Sequence, residues 1–254
     1  MDQDVVLSVS DLNLYYKNRK KKLFEKNSKK QVLFDVSFDM KEGEVLGIAG
    51  ESGCGKSSLA RTIVGINKDY QGKIWQKYDD PQMVFQDPYS SLNPSKTIGW
   101  LLEEPLRVDK KRKCSKEERL ERVMEIMDQV ELPRDFVHRY PSELSGGQRQ
   151  RVCIGMALMR SPKLLIADEP VSALDVTIQV QIMDLLENLH KNLGISIIFI
   201  SHDLRVVYHM CDRVMVMKNG RVIESSETDE LYRNPKQEYT KELLRAAGIK
   251  KSTL

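Results

Sequence analysis

The stretch "GESGCGKSSL" at residues 50–59 decides the fold. It follows the apolar run "VLGIAG" and leads into "SLARTIVGI", whose apolar spacing predicts a buried helix. A strand, a glycine-rich turn and a helix in this order form a loop that cradles phosphate groups. The spacing G-x-x-x-x-G-K-S is filled by Gly50, Gly55, Lys56 and Ser57. The sequence therefore predicts a nucleotide-binding P-loop.

Each residue type in this loop suits phosphate binding. Glycines allow backbone conformations that a side chain would block, so that successive N–H groups can face one anion. Lys56 can reach the β- and γ-phosphates, and the Ser57 hydroxyl is placed to bind Mg²⁺. The predicted nucleotide-binding residues of the loop are Gly50, Glu51, Ser52, Gly53, Cys54, Gly55, Lys56, Ser57 and Ser58.

The composition is that of a globular protein with one large domain or two small ones. The chain has 254 residues, of which 41% are hydrophobic and 30% charged, and no apolar run reaches the length needed to cross a bilayer. The amino terminus "MDQDVVLSVS" is acidic where a secretion signal is basic, so we expect a cytoplasmic protein. Four scattered cysteines without a C-x-x-C pair predict reduced thiols.

One strongly basic run interrupts an otherwise balanced charge pattern. Residues 17–30 contain eight Lys or Arg and one Glu. Such a run could contact nucleic acid or anionic lipid. The alternative is a solvated hairpin tip between "LNLYY" and "QVLFDVSFDM", which we favour because Phe24 is the run's only aromatic residue. We therefore expect no nucleic-acid partner.

Strand patterns dominate the first part of the chain. Residues 5–16 and 31–49 alternate apolar and polar residues around the turn "KEGE", and predict antiparallel strands that lead into the P-loop strand. The segment 72–86 predicts a further hairpin or strand that ends at Gln86, and "YSSLNPSKTIGW" predicts a loop. In "SKEERLERVMEIMDQVEL" we expect a helix with Ser115 as N-cap and Glu118 three residues later. Its expected core face is Leu120, Val123, Met127 and Val130.

Buried strands alternate with helices in the rest of the chain. "KLLIADEP" and "ISIIFISHD" predict strands of a parallel sheet, and Asn219-Gly220 predicts a hairpin turn. We predict one domain over residues 1–254: a nucleotide-binding core with a β subdomain (1–87 and 161–223), a helical insertion (88–160) and a C-terminal helical tail (224–254).

Polar residues end both of these buried strands. Asp168 ends "LLIAD" and would hold Mg²⁺, while the next residue, Glu169, can orient or deprotonate the attacking water. Burial of two carboxylates at the end of an apolar strand costs free energy unless a cation or water molecules interact with them. His202 ends the neighbouring strand, where residues of open α/β sheets meet ligands. We expect Glu169 to be catalytic. A lone histidine more often has a satisfied structural role, so the residues alone leave His202 open between the two roles.

A second glycine-rich turn, "LSGGQ" at residues 144–148, also opens a helix. One nucleotide does not need two cradles, so we expect this turn to serve a nucleotide bound to another subunit of a head-to-tail dimer. The predicted residues acting in trans are Ser145, Gly146, Gly147 and Gln148. An ordinary helix-capping turn would explain Ser145 but leave the Gly-Gly-Gln unexplained.

Together, these motifs resemble those of ABC-transporter ATPase subunits over nearly the whole chain. "GESGCGKSS" resembles the Walker A motif, "LSGGQRQR" the signature motif and "LLIADEP" the Walker B motif. The resemblance implies a P-loop NTPase fold: an α/β, RecA-like core with an antiparallel β subdomain and an inserted α-helical subdomain. It further implies that Gln86 is the Q-loop glutamine and a Mg²⁺ ligand beside Ser57 and Asp168. Other implied positions are Ser172 and Asp175 in the D-loop "SALD", His202 as switch histidine, and Tyr16 (or its neighbour Tyr15) stacked on adenine.

Two further stretches resemble the dipeptide, oligopeptide and nickel importer subfamily. They are "FQDPYSSLNPSKTIGWLLEEPL" and the tail "ELYRNPKQEYTKELLRAAG". Gln237-Glu238 stands where a His-Pro pair is common, and the hairpin between Gly72 and Gln82 is short. Some relatives carry an iron–sulfur cluster on a cysteine-rich extension; no cysteine follows Cys211 here, so we expect no cluster.

The resemblance implies an ATP-binding and hydrolysing subunit of an importer, with ATP and Mg²⁺ as cofactors. The cargo would be di- or oligopeptides, nickel or another chelated metal. Implied partners are a second ABC ATPase subunit (a copy or a paralogue), two transmembrane permeases contacted by residues 86–106, and a substrate-binding protein. The implied place is the cytoplasmic face of the cell membrane, as a peripheral subunit. One alternative is a non-transport ABC ATPase bound to a soluble enzyme complex. Another is a DNA- or ribosome-associated ABC protein, although those usually carry two ATPase domains or a long coiled coil.

Overall fold

The structure is a computed structural model that describes residues 4–17, 29–109 and 114–249. Residues 18–28, most of the predicted basic run, lie outside the described residues. The described chain divides into two compact units, one within Met1–Pro81 and Ser196–Leu254 and the other within Gln82–Ile195. The predicted domain bounds stay a prediction. In the described ranges, no helix combines the length and apolarity that a membrane span requires.

The described chain begins with three strands, and helices and strands are interspersed after them. The strands are β1 (Val5–Lys17), β2 (Lys29–Lys41), β3 (Val45–Ala49), β4 (Tyr70–Gln76), β5 (Gln82–Val84), β6 (Leu164–Asp168), β7 (Ser196–Ile200), β8 (Arg213–Lys218) and β9 (Arg221–Glu227). The helices are α1 (Lys56–Ile63), α2 (Pro88–Ser91), α3 (Ile98–Arg107), α4 (Lys116–Gln129), α5 (Gly146–Leu158), α6 (Val176–Leu193), α7 (Leu204–Met210), α8 (Thr228–Arg233) and α9 (Glu238–Ala246). Short 3₁₀ turns occupy Arg134–His138 and Pro141–Glu143.

The first unit contains two groups of paired strands. In one, β1 pairs antiparallel with both β2 and β4, which confirms the predicted antiparallel strands. In the other, β3 pairs parallel with β7 on one side and with β8 on the other. Every residue of β3 and β7 is buried, as expected for strands covered on both faces. The predicted parallel sheet is confirmed.

A tight turn joins β8 to the antiparallel strand β9. Asn219 and Gly220 have φ values of 48° and 76°, the left-handed conformation that a type I′ hairpin turn requires at both central positions. The predicted Asn-Gly turn is confirmed. It also lies next to the P-loop, as described below.

The second unit carries strands β5 and β6, which pair parallel, and helices α2 to α6. Helix α4 begins at the predicted capping box, with Ser115 and Glu118 each bonding the other's backbone N–H. Its predicted core face is right for Val123, Met127 and Val130 but wrong for Leu120, which is 42% exposed. Ile126 is buried instead, because it lies three residues after Val123 and so shares its helix face.

Two local predictions need correction. The segment 72–86 is no hairpin, because β4 pairs with β1 whereas β5 pairs with β6. The stretch after Gln86 is not all loop, since residues 88–91 form the short helix α2. Asp87 caps that helix by accepting the N–H of Tyr89 at 2.9 Å, and Pro88 suits its first position.

Candidate nucleotide-binding site

The P-loop joins β3 to α1 and has the shape of an anion cradle. Gly53 has a φ of 80°, and a Cβ placed there would meet no atom within 4 Å, so the loop opens to space at this point. Helix α1 begins at Lys56, directly after Gly55, which provides no side-chain cap. The N–H groups of a helix's first turn and its positive dipole end can receive a phosphate.

The back of the loop packs tightly against its own unit. A Cβ on Gly50 would lie 2.3 Å from the carbonyl oxygen of Met217, and one on Gly55 would lie 2.9 Å from Leu33 Cδ2. The N–H of Gly220 donates to the carbonyl oxygen of Cys54 at 2.8 Å. The β8–β9 turn thus packs against the back of the P-loop. In the P-loop, Gly50 is required by packing and by its φ of 147°, and Gly55 by its φ of 114°.

Lys56 lies folded onto the loop. Its side chain is buried, and its ammonium donates to the carbonyl oxygens of Gly50 at 2.7 Å and Glu51 at 3.0 Å. A triphosphate would compete well for this ammonium, because its oxygens add a full charge–charge attraction that the neutral carbonyl oxygens do not offer. Burial raises the pKa of the neighbouring Cys54 thiol, although the Lys56 charge acts the other way, and the thiol therefore stays protonated at neutral pH.

The structure favours Tyr16 over Tyr15 as the aromatic residue beside the P-loop. The Tyr16 hydroxyl donates to Ser58 Oγ at 3.3 Å and accepts from Asn67 Nδ2 at 3.0 Å. Tyr16 remains 37% exposed, so part of it is accessible to a ligand. The Tyr15 ring instead lies 6.0 Å from the Lys29 ammonium.

His202 lies at the same sheet edge as the P-loop. It follows β7, and the P-loop follows β3, which pairs parallel with β7. The carboxyl ends of neighbouring parallel strands meet at one edge of a sheet, where such folds bind ligands. His202 is exposed at this edge, and its contact with a nucleotide held by the P-loop stays a prediction.

In the second unit, the two predicted acids and the Q-loop glutamine come together. Asp168 ends β6 with only 1% of its surface exposed. Glu169 follows in the left-handed conformation, with a φ of 49°, a strained geometry that is typical of functional positions. Gln86 Nε2 donates to Glu169 Oε2 at 3.1 Å. The amide oxygen of Gln86 and the carboxylate oxygens of Asp168 are hard donors of the kind that Mg²⁺ prefers, and so, in the first unit, is the Ser57 hydroxyl.

The second glycine-rich turn, residues 144–148, is called the signature turn here, and contacts within its own subunit hold it in place. Ser145 caps α5, and Ser145 and Gln148 form a capping box with N–O distances of 2.9 and 3.3 Å. A Cβ on Gly147 would lie 2.5 Å from Ile178 Cγ2. The argument that a capping turn explains only Ser145 was therefore wrong, because capping explains Gln148 and packing explains Gly147. A Cβ added at Gly146 would meet nothing closer than 3.4 Å. Neither capping nor packing therefore explains why this position is a glycine.

The D-loop is tied to the backbone of Glu169. The N–H and hydroxyl of Ser172 donate to the Glu169 carbonyl oxygen at 3.3 and 3.2 Å. Asp175 caps α6 by accepting the N–H of Ile178 at 3.1 Å. Movement of the D-loop would therefore shift the backbone of Glu169 and that of Ile178. Ile178 is the residue that packs on the signature turn.

Sequence reasoning missed the residues that hold the P-loop from a distance. Met217, Gly220 and Tyr239 contact it from β8, the β8–β9 turn and α9. The Asn219-Gly220 turn could be predicted from the sequence, but no nearby residue indicated that this turn packs against the P-loop. The tail motif that includes Tyr239 was recognised only as a resemblance.

Comparisons with known proteins agree with this geometry. The ABC transporter family profile matches residues 33–172. The chain is 44% identical to the dipeptide transport ATP-binding protein DppF of Haemophilus influenzae, over 95% of this chain and 77% of that protein. It is also 44% identical to the oligopeptide transport ATP-binding protein OppF of Salmonella typhimurium, over 96% of this chain and 78% of that protein.

The fold also matches solved ATP-binding cassettes. One is the dimeric, post-hydrolysis cassette MJ0796 bound to ADP and Pi, with a TM-score of 0.74, 29% identity, and coverage of 87% of this chain and 98% of that one. The α/β P-loop NTPase fold expected from the sequence is thereby confirmed. The protein belongs to the ABC transporter family, as one of its ATP-hydrolysing subunits.

Proposed function

We propose that this protein is the ATP-binding and hydrolysing subunit that powers an importer of dipeptides or oligopeptides. The observation that carries the cargo class is the 44% identity, over nearly the whole chain, to subunits named for dipeptide and oligopeptide transport. Those names favour peptides over nickel or another chelated metal. The P-loop, the paired acids and the signature turn supply the chemistry that such a subunit needs.

The P-loop and its neighbours bind the nucleotide. Backbone N–H groups of the loop and of the first turn of α1 receive the phosphates, and Lys56 exchanges its carbonyl partners for phosphate oxygens. The ring of Tyr16 stacks on the adenine, which its half-exposed position beside Ser58 supports. Ser57, Gln86 and Asp168 would hold a Mg²⁺ ion, which would neutralise charge on the phosphates.

Glu169 and His202 carry out the hydrolytic step. Glu169 takes a proton from the attacking water or orients it. The Gln86 amide, which donates to the Glu169 carboxylate, fixes that carboxylate's direction. His202 contacts the γ-phosphate from the neighbouring strand end.

Two ATPase subunits act together in this proposal. The signature residues Ser145, Gly146, Gly147 and Gln148 of one subunit close on the nucleotide of the other, and Ser172 and Asp175 of the D-loop face the partner. The dimeric arrangement of the MJ0796 cassette, which this fold resembles, supports such a pair. The second subunit is a copy of this chain or a paralogue.

The remaining partners are two transmembrane permeases and a substrate-binding protein, with this subunit on the cytoplasmic face of the membrane. The expected permease contact at residues 86–106 is supported by a groove of about 190 Å³. Phe85, Ser91 and Pro105 line it together with Cys153 and Met156. Closure of the ATPase pair would move this groove and so gate the permeases.

Affinity purification from detergent-solubilised membranes tests the proposal. The tagged chain should retain two permeases and an ATPase subunit, and ATP hydrolysis by the complex should rise when peptide-loaded binding protein is added. Recovery of a soluble enzyme complex or of ribosomes instead would overturn the transport role and favour one of the non-transport alternatives.

A further inference from the structure

The C-terminal helix α9 contacts the P-loop through Tyr239. This residue lies in the first turn of α9 and is 8% exposed. The backbone N–H of Glu51 donates to the Tyr239 hydroxyl oxygen at 3.4 Å, across a separation of 188 residues. Tyr239 belongs to the tail motif of the sequence, to which the nucleotide chemistry above assigns no role.

The contact falls on the same peptide group that holds Lys56. The N–H of Glu51 and the C=O of Gly50 belong to one planar peptide unit, so fixing one end fixes the direction of the other. The Gly50 carbonyl accepts the Lys56 ammonium at 2.7 Å. Tyr239 therefore holds one end of the peptide and Lys56 holds the other.

This peptide needs an outside restraint. Gly50 has a φ of 147°, and a Cβ on it would clash with the Met217 carbonyl oxygen at 2.3 Å, so only glycine fits. Glycine leaves its neighbouring peptides freer to rotate than any other residue does. A hydrogen bond from a fixed phenol is the kind of contact that limits this rotation.

Helix α9 is itself firmly anchored. The Glu224 carboxylate accepts from the N–H groups of Lys236 and Gln237 at 2.7 and 3.0 Å and from Thr240 Oγ1 at 2.5 Å. It thus caps a helix that has no side-chain cap of its own. The Lys218 ammonium lies 4.1 Å from the centre of the Tyr239 ring. Burial raises the pKa of the Tyr239 phenol, so the hydroxyl remains protonated at neutral pH.

We propose that Tyr239 is a positioning residue for ATP binding, which acts by orienting the Gly50–Glu51 peptide of the P-loop. The inference rests on the proposed role of the P-loop and extends it to the C-terminal helix. Because Tyr239 acts on the loop before phosphate arrives, its loss should weaken ATP binding and leave the chemical step unchanged.

The test compares Tyr239→Phe with Tyr232→Phe in the full chain. Both changes remove one hydroxyl from a buried tyrosine of the C-terminal segment, but the Tyr232 hydroxyl donates to the Leu204 carbonyl oxygen, away from the P-loop. Binding of a fluorescent ATP analogue, the KM for ATP and the melting temperature are measured for each variant. Thr240→Val, which removes one of the three hydrogen bonds from Glu224 to the start of α9, is a second variant that tests the same link.

We expect Tyr239→Phe to weaken analogue binding and raise KM by about two- to tenfold, the size of one hydrogen bond, with kcat unchanged. Tyr232→Phe should lower the melting temperature only. An unchanged KM in Tyr239→Phe, or an equal rise in both variants, would overturn the inference. A wild-type chain that does not bind the analogue, or binds it equally well as Lys56→Ala, would instead overturn the role of the P-loop.

Discussion

The glycine pair of the signature turn offers a sharp test, because its two members differ in their surroundings. At Gly147 an added Cβ would lie 2.5 Å from Ile178 Cγ2, closer than two carbon atoms can approach. The branched Ile178 side chain is stiff next to its backbone and cannot swing this methyl group away. At Gly146 the nearest atoms would be Leu174 Cδ2 at 3.4 Å and the Tyr89 hydroxyl oxygen at 3.7 Å, an ordinary contact.

Gly147→Ala should therefore destabilise the fold, whereas Gly146→Ala should not. Overpacking of this kind costs about 1–3 kcal/mol, and for a chain of this size each kcal/mol lowers the melting temperature by about 2–4 °C. The expected fall for Gly147→Ala is thus about 2–12 °C. Gly146→Ala should leave the melting temperature unchanged or slightly higher, because alanine favours a helix more than glycine does.

A compensating change at Ile178 separates packing from chemistry. Ile178→Leu removes the branched methyl group with which the new Cβ collides and keeps the side-chain volume. The melting temperature of Gly147→Ala/Ile178→Leu, followed by circular dichroism, should recover most of the loss. ATPase activity of the assembled complex should still fall in Gly146→Ala, since that glycine has no packing role. A stable Gly147→Ala, or no recovery in the double variant, would refute the packing argument; a fully active Gly146→Ala would refute the role in trans.

Two further changes address the acids. Glu169→Gln should lower turnover by roughly 10²–10⁴-fold while analogue binding persists, because a positioned base is removed; turnover within about twofold of wild type would exclude Glu169 as the base. Burial acts to raise the pKa of Glu103, but hydrogen bonds from Arg107 and Arg119 outweigh it and hold the pKa below its ordinary value. The ion pairs therefore stabilise the fold above about pH 4.3, the ordinary glutamate pKa, and this stability is lost as pH falls further towards the folded-state value. Glu103→Gln should cost about 1.5–3 kcal/mol at pH 7 and flatten the acid limb of the stability–pH curve; the adjacent Glu104→Gln is the control, and an equal effect of both variants would contradict the reasoning.

Local sequence patterns predicted local structure well. The capping box of Ser115 and Glu118 and the Asn219-Gly220 turn need only residues close in sequence, and the structure contains both. The P-loop spacing likewise identified a strand, turn and helix. The assignment of Leu120 to the core failed because several apolar spacings fit a helix face, and only the neighbouring elements decide which face is buried.

Long-range contacts explain what the sequence could not show. The hairpin expected between Gly72 and Gln82 failed because the partners of β4 and β5 lie elsewhere in the chain. The support of the P-loop by Met217, Gly220 and Tyr239 depends on the fold bringing distant segments together. The reason for Gly147 also appears only when Ile178, 31 positions away, is seen against it.

Peptide uptake into proteoliposomes tests the central claim most directly. The complex purified with this chain is reconstituted with ATP and Mg²⁺ inside the vesicles, and binding protein loaded with a labelled oligopeptide is added outside. We predict ATP-dependent accumulation of the peptide, which stops when this subunit carries Glu169→Gln and its P-loop is otherwise intact. Accumulation that continues unchanged in that variant, or no accumulation by a complex that hydrolyses ATP, would contradict the proposal that this chain powers peptide import.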